Sequence, residues 1–201
     1  MSRPLAPSPP APARPHDLRT KGVSLLSFVT TLRSLHGNDV TERTLSGLPA
    51  EVSTALRDGL VVASSWYPLA WHRAIHASAQ RACKAGPELA RSIGYHGTQA
   101  DFRGVYRFVA SLIAPDRLIR ISPRVWSNYF DGGKIAVDEH HRGKVHTSFS
   151  ECHGFDRSLW ENTIGGSLAV LDIAGARNVK TRIVRGGGDG DDELELELLW
   201  T

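Results

Sequence analysis

The chain has 201 residues, 41% hydrophobic and 22% charged, with a formal charge of +3 when its nine histidines are counted as neutral. This is the balance of an ordinary folded protein, so wholesale disorder is excluded and a sizeable core is available. The basic residues are spread along the chain instead of forming a stripe, which argues against nucleic acid as a partner.

The first stretch, Met1 to Pro15, is rich in Pro, Ala and Ser and has too little apolar content to fold, so residues 1–20 are expected to be a disordered tail. It lacks the apolar run of a secretory signal. No later segment approaches the ~20 apolar residues of a membrane span, and the expected location is cytoplasmic without membrane contact. The two cysteines, Cys83 and Cys152, lie far apart and are expected as reduced core residues.

Residues 21–201 are expected to form a single α+β domain, helical over about 21–130 and sheet-based over about 131–201. Val23, Leu25, Leu26, Phe28, Val29 and Leu32 predict a helix ending at Gly37, followed by a short one over Val40–Leu45. Pro49 opens a third, with Val52, Ala55 and Leu56 inward, and Gly59 stops it. Ser65 is the expected cap of the next, which carries Leu69, His72, Ile75, His76 and Ala79 at helical spacing as far as Lys84. Gly86-Pro87 breaks it. Further helices are predicted over Glu88–Arg103 (with Leu89, Ile93 and Phe102 on one face), over Val105–Ile113, and over Pro123–Phe130 with Ser122 as cap.

From Gly133 the period changes to two. Ile135 and Val137, then Val145, Thr147 and Phe149, predict two strands joined by a turn near Arg142-Gly143. A helix from about Phe155 to Ala174 follows, with Trp160, Ile164, Leu168 and Leu171 at helical steps and Gly175 at its end. Gly165 and Gly166 inside it suggest close approach to the sheet. Across the loop Gly186–Asp191, Ile183 is expected to face Leu194, Thr181 Leu196 and Val179 Leu198. In the same register Arg182 meets Glu195 and Lys180 meets Glu197. The result is a four-stranded antiparallel sheet in strand, strand, helix, strand, strand order, beside a helical N-terminal half.

Lys21-Gly22 before an apolar helix, Ser65-Trp66-Tyr67-Pro68 before another, Arg124-Val125-Trp126 with Tyr129 and Gly133, and the terminal Leu198-Leu199-Trp200 follow one another in order. In this series the chain resembles a myxobacterial paralogous family of similar length and unknown function, over about Lys21 to Trp200. Its C-terminal half is similar to the vinyl-reductase-type small-molecule-binding domain, which is related to the haem and nitric-oxide-binding domains. That resemblance implies a ligand pocket between helices and sheet, used for sensing and not for turnover. Phenol-sensing members bind zinc through cysteines near the last hairpin. This chain has Gly-Gly-Gly-Asp-Gly-Asp and glutamates there, so that site does not carry over. A Tyr-x-Ser-x-Arg element with a preceding haem-ligating histidine is also missing.

Trp66, Tyr67, Trp71, Trp126, Tyr129 and Trp160 are the strongest ligand-site lead, because aromatic walls with polar tips make apolar small-molecule pockets. Ordinary core packing is the competing reading. The candidate ligand-binding residues are Trp71, His72, Trp126, Tyr129 and His146. His140, His141, His146 and His153 with Glu151 and Cys152 carry zinc donors at poor spacing. Asp189, Asp191 and Asp192 lack the order of an EF-hand and read as a solvated Gly/Asp turn. Gly186–Gly190 lacks the Lys-Ser/Thr of a phosphate loop, and Gly165-Gly166-Ser167 is no nucleophile elbow. Catalysis has no positive support.

These features predict a non-enzymatic, cytoplasmic small-molecule-binding or signalling module, with an apolar or aromatic ligand between the helical half and the sheet. A protein-interaction or scaffold domain without a ligand is the alternative, and an enzyme comes third. No cofactor is expected, with haem and zinc left open. A partner protein is expected to carry the output, and homodimerisation is left open.

Overall fold

The computed structural model of the chain describes residues 17–101, 123–141 and 143–201. The helix expected over Val105–Ile113, and also Phe102, Arg103 and Ser122, lie outside the described residues. The first strand, β1 (Arg19–Lys21), begins inside the stretch expected as tail and pairs antiparallel with β2 (Trp66–Pro68), Thr20 opposite Tyr67. Its backbone ties the two halves of the fold together. Leu18 N donates to the His153 carbonyl (3.0 Å) and Lys21 N to that of Tyr129 (2.9 Å). Arg73 donates to Asp17 (3.0 Å) and to the Gly154 carbonyl (2.6 Å), holding the same segment from the helical side.

Helix α1 (Gly22–Ser46) joins the two helices expected on either side of Gly37, where a φ of 82° and ψ of 174° break the helical path. Helix α2 (Ala50–Arg57) starts after Pro49 and buries Val52. The cap expected at Ser65 is not formed: Trp66–Pro68 are extended, Pro68 occupies the N-cap, and the Ser65 carbonyl accepts from Gly22 N (2.9 Å). Helix α3 (Leu69–Cys83) buries Leu69, His72, Ile75, His76 and Ala79, the face that its spacing predicts. Helix α4 (Glu88–Asp101) buries Leu89 and Ile93. Of the helix expected over Pro123–Phe130, only 123–126 is helical, and Ser127–Tyr129 form a turn.

Strands β3 (Lys134–His141), β4 (Lys144–Ser150), β5 (Lys180–Gly186) and β6 (Leu194–Leu199) form an antiparallel sheet in the order β3-β4-β6-β5. Helix α5 (Arg157–Ile173) covers one face, its first turn capped by the Asp156 carboxylate, which accepts from Leu159 N (2.9 Å). Val145, Phe149, Leu194, Leu196 and Leu198 join Trp160 and Ile164 in the core beneath it. The Gly/Asp loop is more than a solvated turn. Asp189 accepts from Arg157 N at the start of α5 (2.8 Å), and the Asp191 carbonyl accepts from Trp160 Nε1 (3.2 Å).

The hairpin register differs from expectation by two residues. Thr181 faces Leu198, Arg182 faces Glu197 and Ile183 faces Leu196, because Gly186 pairs with Leu194 and the ladder is irregular between Ile183 and Arg185. Val184 takes up the extra position and is exposed. A two-residue shift preserves parity, so the apolar set still faces the core. The shift regroups the charges: Glu197, nearly buried, receives Lys144 Nζ (2.5 Å) and Arg182 Nε (2.9 Å). Hydrogen bonds from Lys144 and then Arg182 hold its carboxyl below the usual carboxylate range. A depressed carboxyl pKa stabilises the fold above the unfolded value, and that contribution fades as pH falls through the folded one. Glu197→Gln should therefore lower the urea midpoint at pH 7, with the gap to wild type closing below about pH 4.5. A gap of constant size between pH 7 and pH 3 would refute this.

Candidate functional site

Helix α1 presents Ser24, Ser27 and Phe28 one turn apart on a single face, as positions i, i+3 and i+4 must be. These side chains form one wall of a cavity of about 270 Å³ lying between the helical half and the sheet. Helix α3 adds His72, and α4 adds Ile93, Gly97, Thr98 and Asp101. Trp126, Tyr129 and Phe130 enter from the turn before the sheet, while Val145, Thr147, Phe149 and Leu198 form the sheet wall. Asn162, Thr163, Ser167, Val170 and Leu171 of α5 add a further wall. A benzene-sized molecule fits in an apolar cavity of roughly 150 Å³, so this space admits one ring with a short chain.

Polar side chains line it from α1, α3 and α4 and equally from α5 and β4. His72 is 3% exposed and its Nδ1 has no hydrogen-bond partner; Ser24 Oγ is likewise buried and unpartnered. His72 stacks on His76 (centroids 4.9 Å apart), and Phe28 meets both rings edge-on at 6.3 and 4.6 Å. Burial lowers the pKa of His72 to about 4. The pKa of His76 falls well below its ordinary value, by burial and then by the neighbouring His72. Both rings are therefore neutral at physiological pH. Asp101 stands exposed at the rim, 3.4 Å from Ser27 Oγ. Its carboxyl is shifted upward by partial desolvation, with Ser27 opposing. Desolvation, reinforced by Asp101, raises the Tyr129 phenol.

Of the five residues proposed from sequence, His72, Trp126 and Tyr129 meet at this cavity. Trp71 and His146 do not line it. Trp71, one step around α3 from His72, packs on Tyr67 with centroids 5.2 Å apart. His146 lies between two cavity-lining residues on β4, so the strand's alternation turns it to the opposite face, 3.4 Å from Asp138 and 3.9 Å from Glu195. Ser24, Ser27 and Asp101 were not among the sequence candidates. Their one signal was that two serines share a face with Phe28, which is easily taken for a solvated helix edge.

Trp126 and Trp160 are also core residues, at 8% and 0% exposure, and their indole N–H groups donate to the carbonyls of Gly132 and Asp191. Among the described residues no three of His, Cys, Asp or Glu stand close enough to hold a metal ion. His153 pairs with Asp192 (2.8 Å). Desolvation, with Asp192 beside it, pushes the buried Cys152 thiol up to about 12. Ser167 donates back to the Thr163 carbonyl (3.0 Å) along its own helix.

No protein-family model matches the chain, and no curated protein is similar to it at a significant level. Solved structures do match. A Cs H-NOX mutant carrying 4-cyano-L-phenylalanine is 15% identical with a TM-score of 0.69, covering 90% of this chain and 96% of its own. An oxygen-binding H-NOX domain related to soluble guanylate cyclases, in its oxygen complex, is 15% identical with a TM-score of 0.66 over 90% and 95%. The Fe(II) unliganded H-NOX protein from K. algicida is 9% identical with a TM-score of 0.67 over 90% and 96%. The α+β fold is therefore that of H-NOX domains; at these identities the likeness speaks for fold alone.

H-NOX domains imply haem. A haem brings two carboxylates and needs an axial ligand. The described lining offers one imidazole, His72, and neither Lys nor Arg to receive carboxylates, while its only formal charge, Asp101, is of like sign. The described residues do not fit haem.

Proposed function

We propose that this chain is a non-enzymatic sensory module that holds a compact, mainly apolar small molecule between its helical half and its sheet and passes the signal to a partner protein. The observation that carries the reading is a 270 Å³ cavity between the helical half and the sheet, with Val145, Phe149 and Leu198 on its sheet side and Phe28, Trp126 and Phe130 among its other walls. Apolar walls with a few polar groups are what a small-molecule site uses. The H-NOX likeness supports the reading, since one of those neighbours is an oxygen-binding domain related to soluble guanylate cyclases. Membership of the myxobacterial family and kinship with the vinyl-reductase-type domain belong to the same proposal, as does a cytoplasmic location. No described helix is long and apolar enough to cross a membrane.

The test is saturation-transfer NMR with phenethyl alcohol as a neutral probe, on wild type and on Val170→Trp, which fills the cavity from α5. Transfer to the wild type and its loss in a variant that keeps a cooperative thermal transition is the expected result. Equal transfer to both proteins would place the probe elsewhere and sink the reading.

A further inference from the structure

We infer that this chain has the H-NOX fold without haem, and that its ligand is therefore an organic molecule held directly by the protein walls instead of a diatomic gas held on iron. The inference rests on the ligand-binding reading above and adds the class of ligand.

The space is too small for the group. A cavity of roughly 150 Å³ takes one benzene ring, so the four pyrrole rings of a porphyrin call for about twice the 270 Å³ between the helical half and the sheet. The donors are also misplaced. Haem iron takes its axial ligand from His, Cys, Met or Tyr. Of the histidines whose side chains are described, His72 alone lines the cavity. His36, His96 and His141 are exposed, His146 lies on the opposite face of the sheet, and His153 is paired with Asp192. Cys83 and Cys152 are not part of the lining. Residues 102–122, outside the described residues, contain no His, Cys or Met, and Tyr106 is their one donor of a haem-ligating kind.

His72 fails as an axial ligand from either side of its ring. A ligating imidazole binds the metal through one nitrogen and donates its other N–H to a carboxylate, a carbonyl or water. With Nε2 on the iron, Nδ1 would have to donate, and it has no partner. With Nδ1 on the iron, that nitrogen would have to face the cavity, and it is buried. The ring is instead packed as core, stacked on His76 and met edge-on by Phe28.

Without iron a gas is a poor ligand. It has two heavy atoms, and at the ceiling of binding energy per atom known for the smallest ligands it does not reach millimolar affinity. The oxygen-binding neighbour shares the fold, but the walls here suit a molecule with a ring, which meets Phe28, Trp126, Phe130 and Phe149 together.

The experiment has two arms on the full chain. Hemin reduced with dithionite is followed by its Soret band, by transfer to apomyoglobin and by the thermal midpoint of the protein. The expected result is no saturable complex, complete transfer and an unchanged midpoint. A one-to-one complex whose Soret band moves on adding carbon monoxide overturns the inference, whichever donor, Tyr106 included, holds the iron. In the second arm, calorimetry with phenethyl alcohol on protein shown by metal analysis to be free of iron should give binding, weakened roughly tenfold or more in Val170→Trp. Binding of phenethyl alcohol that appears only after haem is loaded overturns the inference as well. Binding of neither haem nor phenethyl alcohol overturns the cavity reading and the ligand class with it, an outcome distinct from the haem complex that would overturn the inference alone.

Discussion

Gly165→Ala should destabilise the fold by about 3 kcal/mol or more, far beyond what a single methyl normally costs on a helix. A Cβ at this position would overlap the Arg91 carbonyl oxygen and lie 2.9 Å from both Arg91 C and Tyr95 N, all backbone atoms of α4. The contact is reciprocal. A Cβ on Gly94 of α4 would overlap the Asn162 carbonyl oxygen and sit 2.9 Å from its carbon, so the helices meet backbone to backbone at two glycines. Side chains could rotate away from a methyl group, whereas helical carbonyls move only if the helices separate. Separation would break what surrounds the crossing: Arg91 on Glu161 (2.6 Å), Gln99 on Asp172 (2.7 Å), and Asn162 on the Ala90 carbonyl (3.3 Å). Gly166→Ala is the control. Among the described residues its Cβ would meet only the Thr98 hydroxyl, at 3.2 Å, and the gain of about 1 kcal/mol in helix propensity opposes that crowding. Urea titrations of both variants decide the matter, and a Gly165→Ala protein as stable as wild type would show that the crossing can open at no cost.

The same glycines show what could be read from the sequence and what could not. Two adjacent glycines in a helix signal that a backbone comes close, but they do not name it. The expectation pointed to the sheet, whereas the partner is α4, whose Gly94 sits in a pattern that otherwise looks like an ordinary amphipathic helix. The strands were legible because period-two alternation survives any even shift in register, and for that reason the alternation could not detect the irregularity at Val184. Strand β1 was hidden: Arg19, Thr20 and Lys21 have no apolar alternation, and they pair because Trp66–Pro68 and Phe130 lie beside them in space. At the cavity, aromatic residues with polar tips led to His72, Trp126 and Tyr129. The same criterion also selected Trp71 and His146, since composition cannot say which way a side chain turns. Serines and an aspartate on a helix look solvated until another element is laid across them, so Ser24, Ser27 and Asp101 emerged only from the packing.

Acidification should weaken the protein well before its carboxylates titrate. His72 and His76 are buried and neutral, with folded pKa values depressed below the ordinary histidine value of 6.5, His72 to about 4. Below pH 6.5 the unfolded chain takes up protons that the folded chain refuses, so unfolding becomes more favourable as pH falls. Stability is fully present above about pH 6.5 and is lost between there and about pH 4. For His72 alone the loss amounts to about 3 kcal/mol, and His76 adds to it in the same direction. Urea midpoints measured between pH 7 and pH 5 should thus fall steeply, inside a window where surface Asp and Glu remain ionised and Glu197 still contributes. The discriminating variant is His76→Phe. It replaces a ring whose Nε2 has no partner with an apolar one of similar shape, among neighbours that are already aromatic. Its stability at pH 7 should match or exceed that of wild type, and its decline toward pH 5 should be shallower, because one of the two refused protons is gone. A decline as steep as wild type would mean that His76 already carries its proton in the fold or reaches water.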